Sequence, residues 1–596
     1  MTVNEKIFAL RQQMLKEGFD AYIMPSSDPH QSEYVADHFK SRQWLSGFMG
    51  SMGYLVVTQQ HAGVWTDSRY FLQCETEIHG TDFVMHKQGI QGAPEHIDWL
   101  VQTLAPNSRV GCDGTLFAIG QIRAMQKAFS AKNIFLNTDI DAINAIWLDR
   151  PTLPNAPIFE HEHVFAGKSR TEKLEDIRHK MRENGATLHL VTTIDDIGWT
   201  LNLRGSDVDC NPVFLSYLVI GLERCDLFVN VSKLPETLKN TLNTEGVIVH
   251  AYEGIEAFLS KLKATDCIAV DGSNINYKLY STIKQAKIIE IETFSIIMKA
   301  IKNETEQAWI RQVMVKDGVA LLKAFRWLSK KLSLNETVTE YEFSAMIAQF
   351  RSDQAHYFGE SFDAIVGYNG NGAIIHYKPA VKTSAVIEPN GILLVDSGGQ
   401  YADGTTDITR TISLDGKPKQ EIIDDFTAVL KGHIAIAELI FPQGTKGIQM
   451  DILARMYLWK ASLNYGHGTG HGVGFFMNVH EPPQGIAPAL NSRGTTPHQL
   501  GMLTSNEPGM YREGSYGIRI ENLILVVPHN TNTYGTFYKF ETVTLFPLDR
   551  SLINKKMLTK SEITWINDYH QRVFSSLEPH LDTAEKTWLK QQCKKI

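Results

Sequence analysis

Glycine alternates with other residues in one short segment of the chain, YGHGTGHGVG at residues 465–474. Its two histidines, His467 and His471, have the spacing of a helical zinc motif, but five glycines would each cost a helix about 1 kcal/mol relative to alanine. The segment is therefore predicted to be extended or looped, with a main chain that can approach a ligand or metal closely. A single histidine is more often an ordinary packed or surface residue. Three of them within fourteen positions, His480 being the third, favour a functional site.

Two aspartates flank a predicted turn between two strands. Asp396 ends the apolar run GILLVD and is followed by Ser-Gly-Gly, while Asp407 lies in the β-branched run TTDITRTI at 405–412. Because side chains alternate along strands, the two carboxylates can share one half-buried face. Two like charges on that face repel each other, which raises the pKa of one of the two carboxylates. A divalent cation would remove the repulsion. The alternative is that both aspartates lie at exposed hairpin ends.

Two glutamates follow. Glu507 precedes Pro508, which favours an extended backbone at Glu507. Glu521 lies in an alternating run, GIRIENL at 517–523, which predicts a strand with Arg519 on the same face. Arg519 could orient the carboxylates, although an exposed Arg and Glu pair on a solvated strand is the alternative.

These residues form a ligand set typical of a two-metal hydrolase. Mn²⁺ is better matched by carboxylates and one imidazole than by the thiolate ligands of many zinc sites. Zn²⁺ and Co²⁺ are further possibilities. Bridging carboxylates recur in hydrolytic sites that hold two ions about 3.5 to 4 Å apart. The predicted ligands are Asp396, Asp407, His471, Glu507 and Glu521.

In these segments the sequence resembles aminopeptidase P, the Xaa-Pro aminopeptidase family of the creatinase and methionine aminopeptidase superfamily. The segments are IHYKP at 375–379, VDSG at 395–398, TDITR at 406–410, 467–474, NEPG at 506–509 and RIEN at 519–522. The stretches PSSDPHQSEY at 25–34, WTDSRYF at 65–71, LRGSD at 203–207 and NPVF at 211–214 resemble the long, cytosolic three-domain form. The resemblance covers nearly the whole chain.

The resemblance implies a reaction and a role for each site residue. The family hydrolyses the first peptide bond of peptides with proline in second position, using a hydroxide that bridges two metals. By resemblance, Asp407 and Glu521 bridge both ions, His471 and Glu507 complete one, and Asp396 completes the other. Glu507 is the implied proton shuttle. His376, His467 and His480 are expected to hold the substrate and stabilise the tetrahedral intermediate.

Proline in second position restricts how a substrate can be recognised. An Xaa-Pro bond has no N–H, so the enzyme needs a pocket for the pyrrolidine ring instead of a hydrogen bond to that group. Phe362, Tyr368 and Val473 are candidates for lining it, although such residues more often belong to the core.

The chain is too long for one core and divides into several predicted domains. WLSGFMGS at 44–51 parallels WTLNLRGS at 199–206, and VGCDGT at 110–115 parallels IAVDGS at 268–273, which predicts a duplicated α/β domain. The expected domains are 1–155 and 156–298, both creatinase-like α/β, then 299–546, a catalytic domain with the pita-bread α+β fold implied by the resemblance, and a helical extension at 547–596. Asn303 and Glu306 predict a capping box that opens a long helix ending near Leu332. By analogy, the C-terminal extension packs at a subunit interface.

Charge and cysteine usage limit the partners. The net charge is −8 with scattered basic residues, which argues against nucleic acid or an anionic membrane as the main partner. The six cysteines have no close pairs and are predicted to be free thiols in a reducing compartment. The N-terminal segment lacks the apolar core of a signal peptide, and no apolar run approaches membrane-spanning length. We therefore expect a cytoplasmic protein, a homodimer by resemblance, that acts on peptides.

Three alternatives remain. A prolidase uses the same five ligands on dipeptides but has one N-terminal domain where this chain is predicted to have two. A non-catalytic relative would bind peptides or chromatin proteins, and creatinase is a metal-free C–N hydrolase of the same fold. Both are disfavoured because all five ligand positions are filled.

Overall fold

The computed structural model describes residues 1–596, which form two compact units. The first contains Met1–Glu162 and Lys168–Ser295, and the second contains His163–Gly167 and Ile296–Ile596. No helix is both long enough and apolar enough to cross a membrane. The four-part division predicted from the sequence stays a prediction.

The first unit begins with a six-stranded sheet in the order β4-β3-β2-β1-β5-β6. Strand β1 is antiparallel to β2 and parallel to β5, so the sheet is mixed. The strands are β1 (Ala21–Pro25), β2 (Tyr54–Thr58), β3 (Ala62–Thr66), β4 (Phe83–Lys87), β5 (Arg109–Gly111) and β6 (Phe135–Asn137). The helices are α1 (Val3–Glu17), α2 (Ser41–Ser46), α3 (Phe71–Glu77), α4 (His96–Thr103) and α5 (Ile119–Ser130).

A second six-stranded sheet of the same unit repeats this topology, in the order β12-β11-β10-β8-β13-β14. Its central strand β8 is likewise antiparallel to one neighbour, β10, and parallel to the other, β13. The strands are β7 (Phe159–Glu160), β8 (Leu188–Val191), β9 (Leu203–Arg204), β10 (Ser216–Gly221), β11 (Cys225–Val229), β12 (Val247–Ala251), β13 (Cys267–Val270) and β14 (Lys287–Glu290), of which β7 and β9 form a separate pair. The helices are α7 (Arg170–Glu183), α8 (Ile194–Leu201), α9 (Glu236–Thr244), α10 (Ile255–Leu259) and α11 (Tyr277–Thr282), with α6 (His163–Ala166) belonging to the second unit and α12 (Ser295–Ala300) starting at the boundary. The predicted duplication is confirmed by this repeated strand order.

The second unit is organised around one long helix. The Asn303 side chain caps α13 (Glu304–Ser333) by accepting from Glu306 N at 3.0 Å, and the Glu306 carboxylate accepts from Asn303 N. The predicted capping box is therefore confirmed. Val313, Leu322 and Phe325 on this helix enter the main hydrophobic core. The other helices of this part are α14 (Glu340–Ser352), α15 (Gln420–Ala437), α16 (Gly447–Trp459) and α17 (Ser492–Thr495).

Four sheets pack with these helices in the pita-bread arrangement of α and β elements. Their orders are β15-β18-β19, β16-β17-β20, β21-β28-β27-β24-β22-β23 and β25-β26. The strands are β15 (Tyr357–Glu360), β16 (Ile365–Tyr368), β17 (Ile392–Ser397), β18 (Gly399–Tyr401), β19 (Gly404–Thr405), β20 (Ile408–Ser413), β21 (Ile440–Pro442), β22 (Gly470–Gly472), β23 (Glu481–Ile486), β24 (Leu503–Asn506), β25 (Gly509–Arg512), β26 (Tyr516–Arg519), β27 (Asn522–Asn532) and β28 (Gly535–Thr542).

The C-terminal extension forms two helices, α18 (Lys560–Leu577) and α19 (Thr583–Gln592). Ile566 and Val573 on α18 belong to the main core of the second unit. The buried Arg410 donates to the Tyr569 hydroxyl at 2.8 Å. These helices are therefore part of the fold of their own unit, and their predicted role at a subunit interface stays a prediction.

Candidate metal centre

The two aspartates lie at one end of the paired strands β17 and β20, with Asp396 inside β17 and Asp407 directly before β20. In their antiparallel pairing Asp396 lies opposite Thr409 and Ser397 opposite Ile408, so Asp407 follows directly beyond the last pair. The predicted turn at Ser397–Gly399 is wrong, because the chain enters β18 at Gly399 and turns only at Ala402 and Asp403. Gly398 is required there by close packing, since a Cβ would lie 2.0 Å from the Thr406 carbonyl oxygen.

The glycine-rich segment contains no helix, as predicted, and it presents His471 from the short strand β22. A Cβ on Gly470 would lie 1.9 Å from the Ser505 carbonyl oxygen, so glycine is needed for this close approach. His471 Nδ1 lies 2.9 Å from the Gly472 carbonyl oxygen, which can only accept, so Nδ1 carries the proton. Its Nε2 faces Asp407 Oδ2 at 3.5 Å and Glu507 Oε1 at 3.6 Å. A ring oriented in this way is suited to binding a cation.

Backbone hydrogen bonds fix the two glutamates. Glu507 N donates to the Thr469 carbonyl oxygen at 2.8 Å, and Glu521 N donates to the Thr409 carbonyl oxygen at 3.1 Å. The single strand predicted over 517–523 is wrong, because β26 ends at Arg519 and β27 begins at Asn522, which leaves Glu521 between them. Thr409 Oγ1 donates to Glu521 Oε2 at 2.7 Å.

The carboxylates form a buried cluster of like charge. Ligand atoms of Asp407, His471 and Glu521 all lie within 4.8 Å of one another, and the two acids are 4% and 1% exposed. Burial and the neighbouring carboxylates raise the pKa of Asp407 and of Glu521 well above their usual values. Burial likewise raises the pKa of Glu507 to about 7. Without a cation, this arrangement is electrostatically unfavourable.

Arg519 brings a positive charge into direct contact with this cluster. It donates to Asp396 Oδ2 at 2.6 Å, to Thr409 Oγ1 at 3.1 Å and to the Tyr511 hydroxyl at 2.8 Å. Asp396 Oδ1 and Glu521 Oε1 are buried and have no hydrogen-bond partner. Carboxylate oxygens without hydrogen-bond partners, together with an imidazole nitrogen, are a donor set that fits divalent cations. The five predicted ligands are therefore chemically suited to binding metal.

The three predicted catalytic histidines have different surroundings. The His480 ring lies 4.3 Å from that of His471 between centroids, in an edge-on arrangement. His467 Nε2 lies 2.8 Å from the Tyr511 hydroxyl, which connects it to Arg519. His376 is half-buried in the turn between Ile374 and Tyr377. Their roles stay predictions.

The candidates for the proline pocket differ in burial. Val473 is fully buried in the main core, which favours the core interpretation for this residue. Phe362 and Tyr368 are half-buried, Phe362 in the connection between β15 and β16 and Tyr368 at the end of β16. Whether they line a pocket stays a prediction.

Several supporting residues were not predicted. Arg455 on α16 forms a buried ion pair with Asp451 and donates to the carbonyl oxygens of Tyr465 and His467, at 2.8 and 2.7 Å. Arg455 therefore fixes the backbone of the glycine-rich segment. Arg455 and Asp451 are four positions apart on one helix, a pattern visible in the sequence, but the contact to the segment depends on tertiary packing.

Comparison with known proteins identifies the family. Two family models of the Creatinase/Prolidase N-terminal domain match residues 6–145 and 149–306. Metallopeptidase family M24 matches residues 308–528, and the C-terminal region of peptidase_M24 matches residues 536–596.

Relatives match over nearly the full length. Xaa-Pro aminopeptidase 1 of Dictyostelium discoideum is 40% identical, covering 100% of this chain and 97% of its own. Aminopeptidase P2 of Arabidopsis thaliana is 36% identical, covering 99% and 88%. The X-prolyl aminopeptidase of Caenorhabditis elegans, described as a cytosolic enzyme with a di-nuclear active site, is 34% identical with a TM-score of 0.96 and 100% coverage of both chains. The chain therefore belongs to metallopeptidase family M24, among the Xaa-Pro aminopeptidases.

Proposed function

We propose that this protein removes the first residue from peptides that carry proline in second position. The observation that supports this most strongly is the cluster of Asp407, His471 and Glu521, with ligand atoms within 4.8 Å, inside a chain similar to Xaa-Pro aminopeptidases over its whole length. Buried oxygens of Asp396 and Glu521 without partners complete the set.

Five residues would hold two divalent cations. Asp407 and Glu521 would contact both, His471 and Glu507 one, and Asp396 the other. Mn²⁺ is the proposed metal because four of the five ligands are carboxylates, with Zn²⁺ and Co²⁺ as substitutes. When bound, such ions lower the pKa of a water molecule and polarise the scissile carbonyl.

Glu507 is the proposed proton carrier. Its carboxylate accepts from Ser505 Oγ at 3.3 Å, and its backbone is fixed by the bond from Glu507 N to the Thr469 carbonyl oxygen. It would accept a proton from the attacking water and deliver it to the proline nitrogen as the peptide bond breaks. A carboxylate held near the reacting atoms can act first as a general base and then, once protonated, as a general acid.

The histidines would act on the substrate by hydrogen bonding. His376, His467 and His480 are proposed to hold the peptide and to stabilise the oxyanion of the tetrahedral intermediate, since donors aimed at developing charge lower the barrier. The link from His467 through Tyr511 to Arg519 fixes its ring on one side.

Cellular location and assembly are also proposals. The similarity to a relative described as a cytosolic enzyme supports a cytoplasmic location. All six cysteines are free, which agrees with a reducing compartment. A homodimer is expected from the family resemblance, and sedimentation of the purified protein would test it.

A peptide panel tests the proposed function. The Mn²⁺-loaded protein is offered Xaa-Pro, Xaa-Pro-Xaa and Xaa-Ala-Xaa peptides, each with a free or an acetylated N-terminus. We expect cleavage of the free Xaa-Pro-Xaa peptides and almost none of the alanine analogues. Cleavage of Xaa-Pro dipeptides alone would favour a prolidase, and cleavage of acetylated peptides would contradict an aminopeptidase. No turnover with any of the three metals would favour a binding role.

A further inference from the structure

One buried carboxylate organises the segment that carries His376. Glu340 is the first residue of α14 and is 0% exposed. Its Oε1 accepts from Tyr368 N at 2.7 Å and from Asn371 Nδ2 at 3.0 Å. Its Oε2 accepts from the Tyr377 hydroxyl at 2.7 Å and from Ala385 N at 2.8 Å. The donors belong to the start, middle and end of residues 368–385, which we call the His376 segment.

Beyond Tyr377 the His376 segment runs along the surface until its end, where Glu340 N donates to the Ala385 carbonyl oxygen at 3.1 Å. Lys378 and Val381 are exposed, and Lys378 pairs only with Asp363 at the surface. The turn containing His376 is closed by Tyr377 N donating to the Ile374 carbonyl oxygen at 3.0 Å. Since Tyr377 is bonded to Glu340, the residue next to His376 is the one anchored most directly.

The segment also lies against the strand that leads to Arg519. A Cβ on Gly517 would lie 1.7 Å from the Gly372 carbonyl oxygen, so the two backbones are in direct contact. Gly517 is two positions before Arg519, which donates to Asp396. Glu340 thus holds a segment that packs against the strand of Arg519, and the Arg519 side chain bonds to the carboxylate cluster.

We propose that Glu340 is a positioning residue that holds His376 in place for its action on the substrate. The inference rests on the proposed function, because His376 is assigned to substrate there. An ionised carboxylate is well suited to this task, since it accepts bonds from several donors at once and charge-assisted bonds are the stronger ones. Its place in the first turn of a helix further stabilises the negative charge.

The chain offers a matched control. Glu342 lies on the same first turn of α14 and accepts from Thr339 N at 2.8 Å and Thr339 Oγ1 at 3.0 Å, but it contacts no residue of the His376 segment through these bonds. Glu340→Gln and Glu342→Gln remove the same charge from the same helix end. Glu340 accepts through both oxygens, whereas the two bonds from Thr339 both reach Glu342 Oε2. An amide has one acceptor oxygen, so only Glu340→Gln must turn its NH₂ group towards donors.

The first measurement is backbone hydrogen exchange by mass spectrometry on the full-length protein. We expect Glu340→Gln to raise exchange in residues 368–385 and Glu342→Gln to leave it unchanged. Equal exchange in the wild type and Glu340→Gln would overturn the proposal. This measurement needs no activity, so it remains decisive about the segment if the proposed function fails.

The second measurement is kinetic. Glu340→Gln should lower kcat on an Xaa-Pro-Xaa peptide by about 10- to 100-fold with KM little changed, because small misplacement of a catalytic group costs up to that much. In a His376→Ala background the same change should cost less than about twofold, because the residue it positions is gone. An equal loss in both backgrounds would show a general structural role and overturn the proposal.

A milder variant protects the test against misfolding. Tyr377→Phe removes a single hydroxyl from the Glu340 carboxylate and keeps the ring. Loss of one such bond predicts a decrease in kcat of about three- to tenfold. This decrease in kcat should likewise disappear in the His376→Ala background. An unchanged kcat for Tyr377→Phe in the wild-type background would contradict the proposal.

Discussion

Replacing Asp407 by asparagine should stabilise the metal-free protein while it abolishes metal-dependent activity. The reason is the repulsion within the carboxylate cluster, which burial strengthens and which raises the pKa of Asp407. Asparagine has nearly the same shape without the charge. A ligand residue whose loss increases the stability of the metal-free protein would be direct evidence of electrostatic strain that a cation relieves.

The expected size follows from the geometry. Ligand atoms of Asp407 and Glu521 lie within 4.8 Å of each other, and at an effective dielectric constant of about 20 two charges at that distance repel by about 3 to 4 kcal/mol. Arg519 and partial protonation reduce this, so we expect a gain of about 1 to 3 kcal/mol. For a unit of this size that corresponds to a rise in Tm of roughly 1.5 to 5 °C in EDTA.

The assay is thermal unfolding with EDTA and with saturating Mn²⁺. At one hundred times the Kd, each bound ion adds about 2.7 kcal/mol to the wild type, whereas Asp407→Asn should gain far less. Asp403→Asn is the matched control, because Asp403 is also buried but is paired with Lys316 Nζ at 2.7 Å. Removing its charge leaves the Lys316 ammonium without its counter-charge, so this variant should be destabilised by about 1 to 3 kcal/mol, less than for a fully buried pair.

Two results would refute the reasoning. If Asp407→Asn is less stable than the wild type in EDTA, the cluster is not electrostatically strained. If the variant binds two ions and retains full activity, Asp407 does not bridge them.

Three further outcomes are expected. His480→Ala should lower kcat by about two to three orders of magnitude with a small change in KM, since it removes a bond made mainly in the transition state; steady-state kinetics with an unchanged kcat would make His480 an ordinary packed residue. Lys302→Met should destabilise the protein by about 3 to 5 kcal/mol in urea unfolding, because Lys302 and Glu481 are a fully buried ion pair beside His480, and adding Glu481→Gln should restore part of the loss. In EDTA, the stability of the wild type relative to Glu507→Gln should fall as the pH rises from about 4.5 to about 7. The reason is that burial raises the folded pKa of Glu507 to about 7, so the folded state binds the proton more tightly than the unfolded state. A stability difference that does not change across that pH range would contradict the burial of this acid.

Features set by neighbouring residues could be predicted from the sequence. The Asn303 cap was correct because its partner Glu306 is three residues away. The absence of helix at 465–474 followed from glycine alone, and the duplication followed from repeated segments.

Features set by distant contacts could not. Gly398 is needed because Thr406 and Ser361 close around it, so the predicted turn fell in the wrong place. Glu521 interrupts a run of alternating residues because its backbone bonds to Thr409 on another strand. Nothing in the local sequence distinguishes Tyr511, whose hydroxyl joins Arg519 to His467. The five ligand candidates were recognisable as residue types, but which oxygens lack partners depends on the tertiary structure.

The central claim is that the buried carboxylates form a two-metal hydrolytic site. The most direct measurement is a titration of the metal-free protein with Mn²⁺, following activity, combined with anomalous diffraction at the manganese edge. We predict two ions per chain, both within bonding distance of Asp407 and Glu521, and activity that appears only as they bind. Full turnover without metal, or ions located away from these two carboxylates, would contradict the account.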